Sequence, residues 1–134
     1  MASTPAFASA RARRGLSALM ILEAASLAVV STLHLSGLTG EGRRPYSPTS
    51  AGVAEAIIGV VLVAGAVALL RSTRRGRLAA QVATGFAVAG FIFGLTFTLL
   101  GGEPGDVAYH LIALPVLVAT LVLLLIRTRP RAAR

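Results

Sequence analysis

The sequence predicts an all-α integral membrane protein, a four-transmembrane-helix up-down bundle with both termini cytoplasmic. Three observations carry that expectation. The 134-residue chain is 55% hydrophobic and only 13% charged, with a mean hydropathy of +0.79, whereas a soluble domain carries about 25% charged residues. Its apolar residues gather into four runs, at 15–37, 51–70, 78–100 and 107–126. Its 13 basic residues, all arginine, lie between and beyond those runs. A helix needs about 20 apolar residues, at about 1.5 Å rise each, to cross about 30 Å of hydrocarbon. Each run meets that length. Lipid offers no partner to an exposed backbone amide, and the runs lack the alternation of barrel strands, so helices are the reading. The chain is expected to be a single membrane domain, 1–134, with flexible tails at 1–14 and 127–134.

The first run follows Arg11, Arg13 and Arg14 and carries Glu23 and His34. Positive residues, an apolar stretch and small residues at 24–28 also fit a signal peptide. The run is longer than the usual signal core of about 7–15 residues, so a retained helix is expected. The connection at 38–50 holds Gly40, Gly42, Pro45 and Pro48 as helix breakers. The second run carries Glu55 and a stripe of Gly52, Gly59 and Ala66, spaced seven apart. The polybasic loop 71–77, with Arg71, Arg74, Arg75 and Arg77, is expected to lie against anionic lipid headgroups.

In the third run, Ala83, Ala87, Gly90, Gly94 and Thr98 form a small-residue stripe, flanked by Phe86, Phe93 and Phe97. Small residues let helices approach closely in lipid. Gly52, Gly59, Gly90 and Gly94 are therefore expected at helix–helix contacts, within the chain or at a homo-oligomer or membrane-protein interface. The turn at 101–106 places Asp106 to cap the fourth helix. In that helix Pro115 removes one backbone hydrogen bond and frees the carbonyl of Leu111.

Orientation follows from the arginines. Eleven belong to the N-terminal tail, the 71–77 loop and the C-terminal tail; only Arg43 and Arg44 lie on the other side. That asymmetry puts both termini in the cytoplasm and the chain in the bacterial inner membrane. It also accounts for the net charge of +8 without a nucleic-acid partner, and the chain lacks an aromatic platform for bases. With no cysteine, thiolate catalysis and thiolate-held metals are excluded.

Ionisable groups at membrane depth are costly unless partnered, which makes them functional candidates. Glu23, His34, Glu55 and His110 lie inside the runs, with Asp106 and Tyr109 at the rim of the fourth. Counted along the helices, His34, Glu55 and His110 each lie about 5–6 Å below the outer surface, with Asp106 at the same level and Glu23 about 16 Å deeper than His34. The count predicts an outer polar layer of His34, Glu55, Asp106 and His110, above Glu23. Two histidines and carboxylates could bind zinc, and two histidines a haem. No HxxxH or HExxH spacing fixes a ligand geometry, so no metal and no cofactor is expected. A hydrogen-bonded network locking the helices is the structural alternative. For Glu23 alone, that alternative is a bond to a backbone carbonyl or to Ser26 or Thr120.

The stretch Gly94-Leu95-Thr96-Phe97-Thr98, Gly101-Gly102 and Asp106-Val107-Ala108-Tyr109-His110, with Ala54-Glu55-Ala56-Ile57-Ile58-Gly59, resembles small four-helix membrane proteins of actinobacteria. The resemblance covers most of the chain and implies the same topology and polar layer, without an activity. Membrane-integral terpenoid cyclases offer a looser analogy of architecture.

Two functions are therefore expected to compete. The first is an accessory or ligand-binding membrane component, with Asp106 and Tyr109 as ligand-binding residues. The second is a membrane-embedded acid–base enzyme acting on a hydrophobic substrate, of the terpenoid cyclase or isomerase type. In that case Glu55 or Glu23 would be the acid and His34 or His110 the base. A transporter ranks below both, because one four-helix protomer lacks broken-helix symmetry.

Overall fold

The computed structural model describes residues 10–126. Among the described residues it is all-helical: α1 (Ala10–Leu35), α2 (Pro48–Leu70), α3 (Arg74–Gly101) and α4 (Pro104–Ile126). Each is long and apolar enough to cross a membrane. The expected tail residues 1–9 and 127–134 lie outside the described residues.

The helices outrun the apolar runs at several ends, for identifiable reasons. α1 begins at Ala10, so Arg11, Arg13 and Arg14 are helical rather than part of a flexible tail. Arginine is a good helix former, and its long side chain lets its charge stay at the surface while the backbone continues inward. α3 begins within the expected polybasic loop, because Thr73 caps it by accepting the Gly76 amide at 2.9 Å. Ser47 caps α2 in the same way, with Pro48 at the first helical position, where its missing N–H costs nothing. α4 begins at Pro104, so Asp106 lies inside its first turn rather than at its cap. At the end of α1, Gly37 adopts φ +72°, and the amides of Gly37 and Leu38 return to His34 and Leu33. This is a Schellman stop, which needs a residue at ease in the left-handed region.

Each helix packs on its neighbour in sequence, most extensively α1 on α2, and α4 returns more lightly to α1. The α1/α2 seam is close because Gly52 faces α1. A Cβ at Gly52 would come within 2.9 Å of Leu35 and 3.0 Å of His34. Two serines bond across this seam: Ser17 to the Ala66 carbonyl at 3.0 Å and Ser31 to the Gly52 carbonyl at 2.7 Å. Gly59 lies over Ala24 and Leu27 of α1, Gly90 against Ile58 of α2, and Gly94 against His110 of α4. The four glycines thus sit at contacts within the chain. Met20, Leu27, Leu62, Leu69, Leu117 and Leu124 fill the interior. Leu22, Val60, Phe93 and Ile112, among many apolar residues, point outward, a distribution suited to lipid contact.

Candidate functional site

The end of α1, the start of α2, the end of α3 and the start of α4 meet at one end of the bundle. The connection between α1 and α2 folds over it: Arg43 donates its amide to the Gly101 carbonyl at 2.7 Å, and Tyr46 donates its amide to the Arg43 carbonyl at 3.0 Å. Gly42 turns this segment at φ +64°, where a Cβ would strike the Tyr46 ring. The fold-back drives Tyr46 into the bundle, leaving it 6% exposed.

His34 is the centre of the site. Its Nδ1 lies 2.8 Å from Glu55 Oε2 and its Nε2 2.9 Å from Asp106 Oδ1, with all three residues buried. The imidazole therefore bridges two carboxylates, one on each nitrogen. Tyr46 Oη stands 3.1 Å from His34 Nε2 and donates a hydrogen bond to Asp106 Oδ2. Burial first, then this bond and the nearby charges of Asp106, Glu55 and Glu103, raise the Tyr46 pKa far above that of an ordinary phenol. Tyr46 therefore keeps its proton and remains a donor.

Three of the four residues expected in one layer thus touch directly. His110 lies beside them but is turned elsewhere. Its Nδ1 donates to the Asp106 carbonyl at 3.0 Å, which directs Nε2 towards Gly94. Its ring packs on Phe91 with centroids 5.0 Å apart. Tyr46 was not anticipated as a site residue. Its only signal in the sequence was an amphipathic aromatic between Pro45 and Pro48 in an otherwise small and polar connection.

A groove of about 450 Å³ opens between α2 and α3. Glu55, His110, Tyr46 and Thr98 supply its polar wall, and Phe86, Phe91, Phe93, Phe97, Ile57 and Ile58 much of the rest. Glu55 Oε2 is bonded to His34, but Oε1 is buried and has no hydrogen-bond partner. A buried polar atom left without a partner is costly.

Glu23 belongs to a different cleft of about 270 Å³, between α1 and α4. Thr120 donates to its Oε1 at 2.6 Å, while Oε2 is buried without a partner. Tyr109, expected at the rim with Asp106, lines this second cleft instead. Ser26 commits its single hydroxyl hydrogen to the Glu23 carbonyl at 2.8 Å, so Tyr109 donates to Ser26 Oγ at 3.1 Å. Phe91 lines both clefts and is 2% exposed, so one buried ring separates them.

His34, Glu55 and Asp106 offer ligand atoms within 4.8 Å of one another, a spacing that a divalent ion could bridge. As they stand, each carboxylate lies against a different nitrogen of the ring. Comparisons with protein-family models, curated proteins and solved structures find no match to this chain.

Proposed function

We propose that this protein is a ligand-binding component of the bacterial inner membrane, taking an apolar molecule from lipid into the α2/α3 groove. It would be an up-down bundle with both termini cytoplasmic, as the arginine distribution favours, and the polar site would lie at the outer-leaflet level. Arg71, Arg74, Arg75 and Arg77 would then meet anionic headgroups. One observation carries the reading: a groove of about 450 Å³, walled mostly by apolar side chains, is large enough for a small molecule.

Ala54 lines the groove and is exposed, so Ala54→Trp would fill it without touching the buried network. The test is equilibrium dialysis of a labelled hydrocarbon, 1,3-diphenylpropane, against protein-loaded and empty nanodiscs. Saturable retention beyond the empty discs, lost in Ala54→Trp, supports the reading. Equal retention by the filled variant overturns it.

A membrane-embedded acid–base enzyme acting on a hydrophobic substrate, of the terpenoid cyclase or isomerase type, is the second reading. The observation favouring it is the continuity from Tyr46 and Asp106 through His34 to Glu55, which could replace a proton given up in the groove. Glu55→Gln and Glu23→Gln strains with unchanged metabolite profiles would remove this reading.

A further inference from the structure

We infer that the α2/α3 groove is built for a neutral lipophilic alcohol or phenol, whose hydroxyl bonds His110 Nε2 while its apolar body lies among the phenylalanines. The inference rests on the ligand-binding reading above and names the chemistry of the ligand.

His110 is 5% exposed, and its ring is held in place from two sides. Nδ1 lies 3.0 Å from the Asp106 carbonyl, which only accepts, so that nitrogen carries a hydrogen and is committed. Phe91 packs on the ring with centroids 5.0 Å apart. The opposite edge carries Nε2 towards α3, where a Cβ on Gly94 would come within 3.1 Å of it. Gly94 and His110 both border the groove, and among the described residues His110 alone brings α4 into its lining. The missing side chain of Gly94 thus leaves a notch through which an α4 ring reaches a groove walled by α2 and α3. Nε2 has no hydrogen-bond partner among the described residues, and unlike Glu55 Oε1 it is not fully buried.

The rest of the lining narrows the ligand. The Tyr46 hydroxyl is committed to Asp106, and the Thr98 hydroxyl to the Gly94 carbonyl at 3.0 Å. Ser47 and Ser50 are exposed, where water serves them. His110 Nε2 is therefore the inner polar atom left for a ligand. Phe86, Phe91, Phe93 and Phe97, with Ile57 and Ile58, offer apolar contact. One polar group on an apolar body matches this pattern. A hydroxyl both donates and accepts, so it pairs with Nε2 whether that nitrogen carries a hydrogen or a lone pair. A hydrocarbon would leave Nε2 unpaired, and an ionic group would give up its hydration for a single hydrogen bond. The Glu23 cleft offers no such atom: Tyr109 and Ser26 are bonded to each other, and Glu23 Oε2 is buried.

1,3-Diphenylpropane and 4-(3-phenylpropyl)phenol differ by one hydroxyl, which makes them a matched pair of probes. Both would be dialysed against the full chain in phosphatidylcholine nanodiscs, with empty discs subtracted. Each affinity is referred to the probe dissolved in the lipid, so that unequal partitioning cancels. The phenol is expected to bind the native chain about fivefold more tightly, the gain from one hydrogen bond of ordinary net strength. In protein carrying isotope-labelled histidine, the phenol should shift the His110 Nε2 resonance much further than the hydrocarbon does. Both readouts use the native chain and depend on no variant folding. His110→Leu should bring the two probes to equal affinity while still binding the hydrocarbon. Gly94→Ala keeps the histidine but sets a methyl beside Nε2, and should weaken the phenol more than the hydrocarbon. Equal binding of the two probes to the native chain, or a phenol preference that survives His110→Leu, overturns the inference and leaves the groove reading standing. Binding of neither probe overturns both.

Discussion

The molecule holds two buried glutamates in two different settings. Glu55 lies at the bundle end in a chain of ionisable partners: His34, Asp106 and Tyr46. Glu23 lies further along α1, where its side chain meets only the Thr120 hydroxyl. Each keeps one oxygen without a partner. The difference lies in what happens when a neighbour is removed. Around Glu55, loss of one group leaves other buried ionisable groups without a partner; around Glu23, it removes one hydroxyl hydrogen bond. The same side chain is thus part of a connected set of ionisable groups in one place and a local polar fastening in the other.

The largest test of that contrast is His34→Ala. Removing the bridging ring leaves Glu55 and Asp106 buried without their shared partner, and breaking such a pair costs about 3–5 kcal/mol. Unfolding in dodecyl sulfate, followed by circular dichroism, should show that loss. A cost below about 1 kcal/mol would show that the network carries no more weight than the Glu23 fastening. Tyr46→Phe is expected to cost less, about 1–3 kcal/mol, because it leaves Asp106 with one donor fewer in a buried site. The same unfolding assay reads it. Thr120→Val should cost about 0.6 kcal/mol, the average found for side-chain hydrogen bonds between membrane helices. If it matches His34→Ala instead, the two glutamates are not different in kind.

The smallest effect is spectroscopic. The folded pKa of Tyr46 is raised above its unfolded value, so its contribution to stability is present at neutral pH. That contribution is complete below the unfolded value of about 10 and is lost as pH rises from there through the folded value. Absorbance at about 295 nm should therefore titrate identically in wild type and Tyr46→Phe up to about pH 11, a unit above the ordinary phenol value of about 10. An extra tyrosinate signal from the wild type below that pH would contradict the burial of the phenol.

Much of the fold was legible because hydropathy directly measures the solvent a segment can occupy. The four spans follow from it, but their ends do not. Hydropathy marks the hydrocarbon boundary, whereas Thr73, Ser47, Pro48 and Gly37 decide where the backbone starts and stops being helical. For the site, counting residues from the helix ends put His34, Glu55 and Asp106 at one level, and they touch. Counting could not say which way each side chain turns. His110 shares the level yet bonds its own helix's carbonyl at Asp106. Tyr109 is three residues from Asp106 but faces Ser26 across α1. Tyr46 lay in a connection with no periodicity to read, and only the fold-back onto Gly101 brings it inside.

The rim of the α2/α3 groove includes Ile57, Phe86 and Phe93, apolar side chains that point outward. With the four helices spanning a bilayer, a doorway framed this way would open on hydrocarbon rather than on water. The concentration that governs occupancy is then the one dissolved in the bilayer, set by how the compound partitions. Two molecules held equally well in such a groove would differ in apparent aqueous affinity by the ratio of their partition coefficients. The membrane would do the first step of selection before the protein is reached.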